Sequence, residues 1–254
     1  REEEICCVPR KMDEAGDITC HYSTSHTIYL PDMVDDALPE MLRIKEAYEG
    51  GNLTFDTLKV FLDGTASECS AFVKEPYAKT GKCADSLFTA DEMHQFFTEA
   101  NKKGIDLHLH TIGDAATERV ADVVERIVAE GTDFKSHVTM AHCQLLTPET
   151  REKVRKYGIY MDMTPSWFDG PVEGTFWDQD TKNLSAENKK RSYETRKNME
   201  ACGNFTLSSD CPVAPAVKEY MWNPYYGMEM AVTRYGVGIT GPAEDCCGQA
   251  PDQR

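Results

Sequence analysis

The sequence predicts an α/β fold built on a parallel sheet, and three observations carry that expectation. Between residues 85 and 212, segments with helical apolar spacing alternate with short apolar runs. Each helical segment stops at a glycine: Gly104, Gly131, Gly158 and Gly203. Each of those glycines leads directly into the next apolar run. Parallel neighbours need long crossover connections, and helices of this length supply them.

Taken in order, "DITCHYS" (17–23) and "LKVFLDG" (58–64) read as the first two strands. "SLFTADEMHQFFTEANKKG" then opens on Thr89 as N-cap with Glu92 three residues on, a capping box, and sets Met93, Phe96, Phe97 and Ala100 on one face. "IDLHLH" is the strand that follows. The next helix takes Asp114 as N-cap and places Val120, Val123, Val124, Ile127 and Val128 at helical spacing, before the strand "HVTMAH". Thr147 ahead of Pro148 starts a third helix, which ends at Gly158 and feeds "IYMDMTP". A polar loop from Trp167 to Asp180 precedes one helix over "SAENKKRSYETRKNMEACG" and the strand "NFTLSSDCP". A doubly wound sheet and a (β/α)₈ barrel both satisfy this grammar, with about six strands in either case. No G-x-G-x-x-G follows any strand, so nothing favours a dinucleotide fold.

The bulk numbers narrow the function class. A chain of 254 residues buries a substantial core, and 41% hydrophobic with 28% charged residues is the composition of a globular protein. A net charge of −16 argues against nucleic acid or an anionic membrane as partner, because both require a basic surface. No apolar run approaches the roughly 20 residues of a membrane span. The ten cysteines are dispersed without a C-x-x-C pair, and the adjacent pairs Cys6-Cys7 and Cys246-Cys247 are poor zinc clamps. Reduced thiols and a cytoplasmic setting are expected. With no initiator Met and no closing element, the chain reads as a segment of a longer polypeptide.

In parallel architectures the working residues sit at the carboxyl ends of strands. Five polar residues fall there: Lys59, His108, His110, His142 and Asp210. His110 and His142 are 32 residues apart, about one helix–strand unit, and Asp210 follows His142 by 68, about two. Imidazoles and a carboxylate suit zinc, and also iron or manganese. A lysine ammonium has no lone pair, but a desolvated neutral amine that adds carbon dioxide becomes a carbamate that can ligate. A cysteine nucleophile at Cys143 or Cys211 is the weaker reading. His142 and Cys143 point to opposite faces of a strand and form no dyad there.

"LKVFLDG", "HTIGDAA", "AHCQLLTPE" and "LSSDCPVAP" resemble, in order and spacing, the motifs of the amidohydrolase superfamily, nearest its YtcJ-like or amidohydrolase-3 branch. "EPYAKTGK" and "MAVTR" match as well. The resemblance implies a distorted (β/α)₈ TIM barrel with a β-sandwich made from both chain ends. It implies that Lys59, commonly carboxylated in the family, joins His110, His142 and Asp210 around one or two divalent ions, zinc foremost. It also implies hydrolysis of carbon–nitrogen bonds other than peptide bonds, in small amides, cyclic amides or N-formyl groups. Metal-activated water would attack, with Asp210 as catalytic proton shuttle.

The family motif uses only the second histidine of "LHLH", which leaves His108 as a lower-layer or supporting residue. The superfamily's first-strand His-x-His pair has no counterpart upstream of Lys59. Residues 1–254 are therefore expected to form an incomplete barrel, about strands three to eight, without the sandwich. Such a piece has exposed sheet edges that invite a second copy. It is either part of an active hydrolase or a catalytically silent binding or regulatory module. The aromatic loop containing Trp167, Phe168, Phe176 and Trp177 is expected either to cover the barrel mouth or to latch over the helices.

Overall fold

The computed structural model describes residues 2–167, 176–210 and 223–233. Phe168, Cys246, Cys247 and the last residue of "MAVTR" lie outside them, as does all of "CPVAP" (211–215), including Cys211. Strands β1 (Tyr22–Ile28), β2 (Leu53–Phe61), β3 (Asp106–Thr111), β4 (Val138–His142), β5 (Tyr160–Met163) and β6 (Phe205–Leu207) form one sheet in that order. The pairs β1–β2, β4–β5 and β5–β6 are parallel. Spatial order equals chain order throughout, so every crossover steps the same way. A doubly wound sheet reverses direction at a switch point, whereas a barrel does not. This separates the two architectures the sequence left open, in favour of the barrel type.

Helices α1 (Glu2–Glu14) and α2 (Val34–Tyr48) flank β1 in the chain. Then come α3 (Ala90–Lys102), α4 (Asp114–Ala129) and α5 (Pro148–Tyr157), the three expected crossover helices. The capping box at α3 is present: the Glu92 N–H donates to Thr89 Oγ1 at 3.2 Å, and Glu92 Oε2 accepts from the Thr89 N–H at 2.7 Å. At the end of α5, Gly158 takes the left-handed conformation, φ 64°, that only a glycine adopts cheaply.

Three expectations are corrected. The first strand lies at Tyr22–Ile28, later than "DITCHYS", and β2 begins at Leu53, ahead of "LKVFLDG". A bulge explains the second shift. Thr24 pairs with Phe55 and Ser25 with Thr57, so Asp56 is the extra residue and the buried alternation changes phase there. The single helix expected over 185–203 is broken into α7 (Ala186–Arg191) and α8 (Thr195–Ala201), while the expected loop before it ends in α6 (Phe176–Thr181). Tyr193 causes the break: with φ 56° it turns inward, its N–H donates to Gln144 O at 2.8 Å and its hydroxyl to Asp180 at 3.0 Å. Helix α9 (Pro224–Thr233) completes the described elements.

The chain divides into two compact units. The first comprises Arg1–Phe61, Leu87–Leu109 and Arg126–Val138. One of its apolar clusters joins Ile44, Leu53 and Phe55 under Cys6, Ile18 and Tyr48. The second comprises Leu62–Ser86, His110–Glu125 and Thr139–Arg254. Its segment 62–86 holds neither helix nor strand, yet Ala66, Ala71, Val73 and Tyr77 from it are buried with Ile112, Leu145 and Leu184. Long irregular segments that are this well packed are commonly functional. Among the described residues, no helix is long and apolar enough to cross a membrane.

Candidate metal centre

The second unit brings His110 and His142 together. β3 delivers His110 near its carboxyl end and β4 ends on His142. At the end of β4 the backbone enters the left-handed region twice in succession, at His142 (φ 71°) and Cys143 (φ 50°). Non-glycine residues resist that region, so the surrounding bonds must hold the turn. They include the Cys143 N–H donating to Thr111 O at 3.2 Å and the Leu145 N–H to Ile112 O at 3.1 Å. The result is an edge-to-face pair of imidazoles with centroids 4.6 Å apart, the residues only 8% and 9% exposed.

Each ring has an anchor. His110 Nε2 lies 3.3 Å from Gly64 O, and a carbonyl can only accept, so a neutral His110 carries its proton on Nε2 and its lone pair on Nδ1. His142 Nδ1 lies 3.1 Å from Thr164 Oγ1. A hydroxyl can donate or accept, so that contact fixes the plane of the ring without fixing its tautomer.

Sequence reasoning missed Asp63, although it sits in the quoted "LDG". Its carboxylate is buried and accepts from the backbone N–H groups of Phe72 (3.0 Å), Ile112 (3.1 Å) and Gly113 (2.8 Å). Its Oδ1 is 3.9 Å from His110 Nε2. Burial pushes its pKa up to about 7, against the opposing pull of the three N–H bonds. The available signal was a strand-terminal Asp-Gly, a pattern that also fits an ordinary turn.

The other expected residues are placed as follows. Lys59 is on β2 in the first unit, half-buried, paired in register with Thr27 and with its Nζ 5.4 Å from the Phe61 ring. His108 is half-buried on β3, two residues before His110 and so on the same strand face. Asp210 follows β6 with φ 55° and accepts from Trp167 Nε1 at 3.0 Å. The Trp167 ring meets Phe176 edge to face at 5.2 Å and packs with buried Trp177 and Tyr193. Cys143 is buried, and burial, with Asp162 and Cys202 adding to it, raises its thiol well above the ordinary range.

Among the described residues, no group of three or more His, Cys, Asp or Glu side chains gathers as a cation cage. What the structure assembles is a pair of imidazole donors. That pair fits a borderline divalent cation: both rings are almost dry, and the Gly64 contact presents a lone pair on His110 Nδ1.

A model of the Amidohydrolase family matches residues 10–247. The chain belongs to the amidohydrolase family. It is 26% identical over 191 residues to the putative amidohydrolase YtcJ of Bacillus subtilis, covering 74% of this chain and 33% of that one. It is 23% identical over 161 residues to the exoenzymes regulatory protein AepA of Pectobacterium carotovorum, covering 62% of this chain and 34% of that one. It thus spans about a third of the length of these curated relatives. The crystal structure of an uncharacterized metal-dependent hydrolase from Pyrococcus furiosus superposes with a TM-score of 0.67 at 22% identity, covering 89% of this chain and 43% of that one. At that identity the likeness speaks for the fold. It agrees with the barrel type read from the strand order of this amidohydrolase-family chain.

Proposed function

We propose that this amidohydrolase-family protein is a metal-dependent hydrolase of carbon–nitrogen bonds in small amides, cyclic amides or N-formyl compounds. The observation that carries the reading is the buried His110–His142 pair at the carboxyl ends of β3 and β4. His110 and His142 would hold a divalent ion, zinc or else iron or manganese, with Asp210 as a further donor. When bound, the ion polarises the scissile carbonyl and lowers the pKa of water.

The remaining steps fall to the chain's own side chains. Asp210 takes the proton from the attacking water and passes it to the departing nitrogen. The Trp167 N–H on Asp210 Oδ2 orients that carboxylate, and Trp167 with Phe176 limits water around it. The negative charge of the chain suits a small-molecule substrate rather than a polyanion.

A second reading, a catalytically silent binding or regulatory module, is favoured by one observation. No three-residue cage forms among the described residues. One experiment separates the two readings. Protein expressed with added zinc is assayed for bound metal and for hydrolysis of an amide and cyclic-amide panel, with His142→Ala and Asp210→Asn alongside. Stoichiometric metal, lost in His142→Ala, with turnover abolished in Asp210→Asn, supports the hydrolase. A metal-free, inactive wild type supports the silent module.

A further inference from the structure

We propose that Asp63 is a positioning residue that fixes His110 in its Nε2–H form; its bearing on metal affinity rests on the reading above. Two groups must be held for His110 to present one nitrogen, and Asp63 holds both. The first is the backbone just beyond the ring, where Asp63 accepts from the N–H groups of Ile112 and Gly113. The second is the segment that receives the ring proton. Gly64, next to Asp63 in the chain, supplies the carbonyl 3.3 Å from Nε2, and the Phe72 N–H on Asp63 Oδ2 holds the far side of the same loop.

The electrostatics act in the same direction. Nε2 lies 3.9 Å from Asp63 Oδ1 in a dry site, where Asp63 in its ionised form favours a ring N–H facing it over a lone pair. A role for Asp63 as a metal ligand is disfavoured by the same contacts. Its oxygens are taken by three N–H donors, and it faces the protonated side of the ring. The corner admits little slack, since a Cβ on Gly113 would lie 1.8 Å from Phe72 O. Carboxylates that orient metal-ligating histidines typically change affinity by about 10–100-fold when removed.

The test uses ¹⁵N-histidine-labelled protein, first without metal. Long-range ¹H–¹⁵N correlation should show wild-type His110 as a single Nε2–H tautomer, and Asp63→Asn should show it averaged between tautomers. Zinc affinity should fall about 10–100-fold in Asp63→Asn while the fold persists by circular dichroism. An unchanged tautomer with unchanged affinity in Asp63→Asn would overturn the inference. If Asp63→Asn does not fold, the wild type decides alone: a ring protonated on Nδ1, or averaged, overturns the inference, and a pure Nε2–H ring supports it. If the wild type binds no zinc, the hydrolase reading fails while the tautomer comparison still decides the role of Asp63.

Discussion

The His142 ring stands against the His110 ring at 64°, so the edge of one meets the face of the other with 4.6 Å between centroids. The ring contact belongs to His110, the second member of the His-x-His sequence. Replacing either His110 or His142 by Ala should weaken zinc binding by more than the ~10–100-fold typical of a lost supporting contact. His108→Ala should have a smaller effect. Competition against a chromophoric chelator measures all three, and equal losses for His108 and His110 would remove the distinction.

The corner after β3 makes a second prediction. A Cβ on Gly113 would meet backbone atoms of Phe72, at 1.8 Å from O and 2.3 Å from C, which no rotamer change can relieve. Gly131 is a control of the opposite kind: φ is +83° and nothing lies within 4 Å of its would-be Cβ. Gly131→Ala should cost about 1–2 kcal/mol, the conformational penalty alone. Gly113→Ala should exceed the ~1–3 kcal/mol of ordinary overpacking and should also disturb the Asp63 bonds. Urea denaturation of both variants checks the order, and a milder loss for Gly113→Ala would show that the loop gives way.

These cases explain what was legible in the sequence. The Thr89 cap and the glycine stops at Gly104, Gly131 and Gly158 were legible because they are local: a side chain three residues from its partner, or a backbone needing φ > 0. His110 and His142 were legible because helix–strand units bring successive strand ends to one face. Asp63 was not, because its partners are 9 and about 50 residues away and only the folded loop supplies them. Helices α1 and α2 went unread, as each carries an internal proline, Pro9 and Pro39, which normally marks a helix end. The break at Tyr193 answers to Gln144 and Asp180, again beyond local reach.

Cys143 yields a third prediction. Its thiol is fully buried and held far above its ordinary pKa, chiefly by burial, so almost no thiolate forms. Iodoacetamide on the folded protein at neutral pH should alkylate exposed Cys20 and Cys83 and spare Cys143. Peptide mapping by mass spectrometry reads this directly. Rapid labelling of Cys143 would favour the cysteine-nucleophile reading, the weaker of those the sequence offers.

The last prediction concerns the ion pair beneath α5 and α8. Arg151 Nε donates to Asn198 Oδ1 at 2.8 Å and its Nη2 to Glu194 Oε2 at 2.6 Å, with Lys197 on the other Glu194 oxygen. The Arg151 and Glu194 side chains are only 10% and 8% exposed, so removing Arg151 leaves the buried Glu194 carboxylate with Lys197 as its remaining cation. Arg151→Met should therefore lose stability near neutral pH, by less than the ~3–5 kcal/mol of a wholly unpaired buried charge. Burial alone would raise the Glu194 carboxyl, but Lys197 and Arg151 outweigh it and hold the pKa below 4.5. The folded state then binds fewer protons than the unfolded chain, so the stabilisation is complete above the unfolded pKa and fades as the pH falls through the lower, folded one. The stability gap between wild type and Glu194→Gln should be wide at about pH 7 and narrow at about pH 3.5. Urea denaturation at the two pH values measures it, and a gap that does not narrow on acidification would mean that Glu194 acts through packing rather than through its charge.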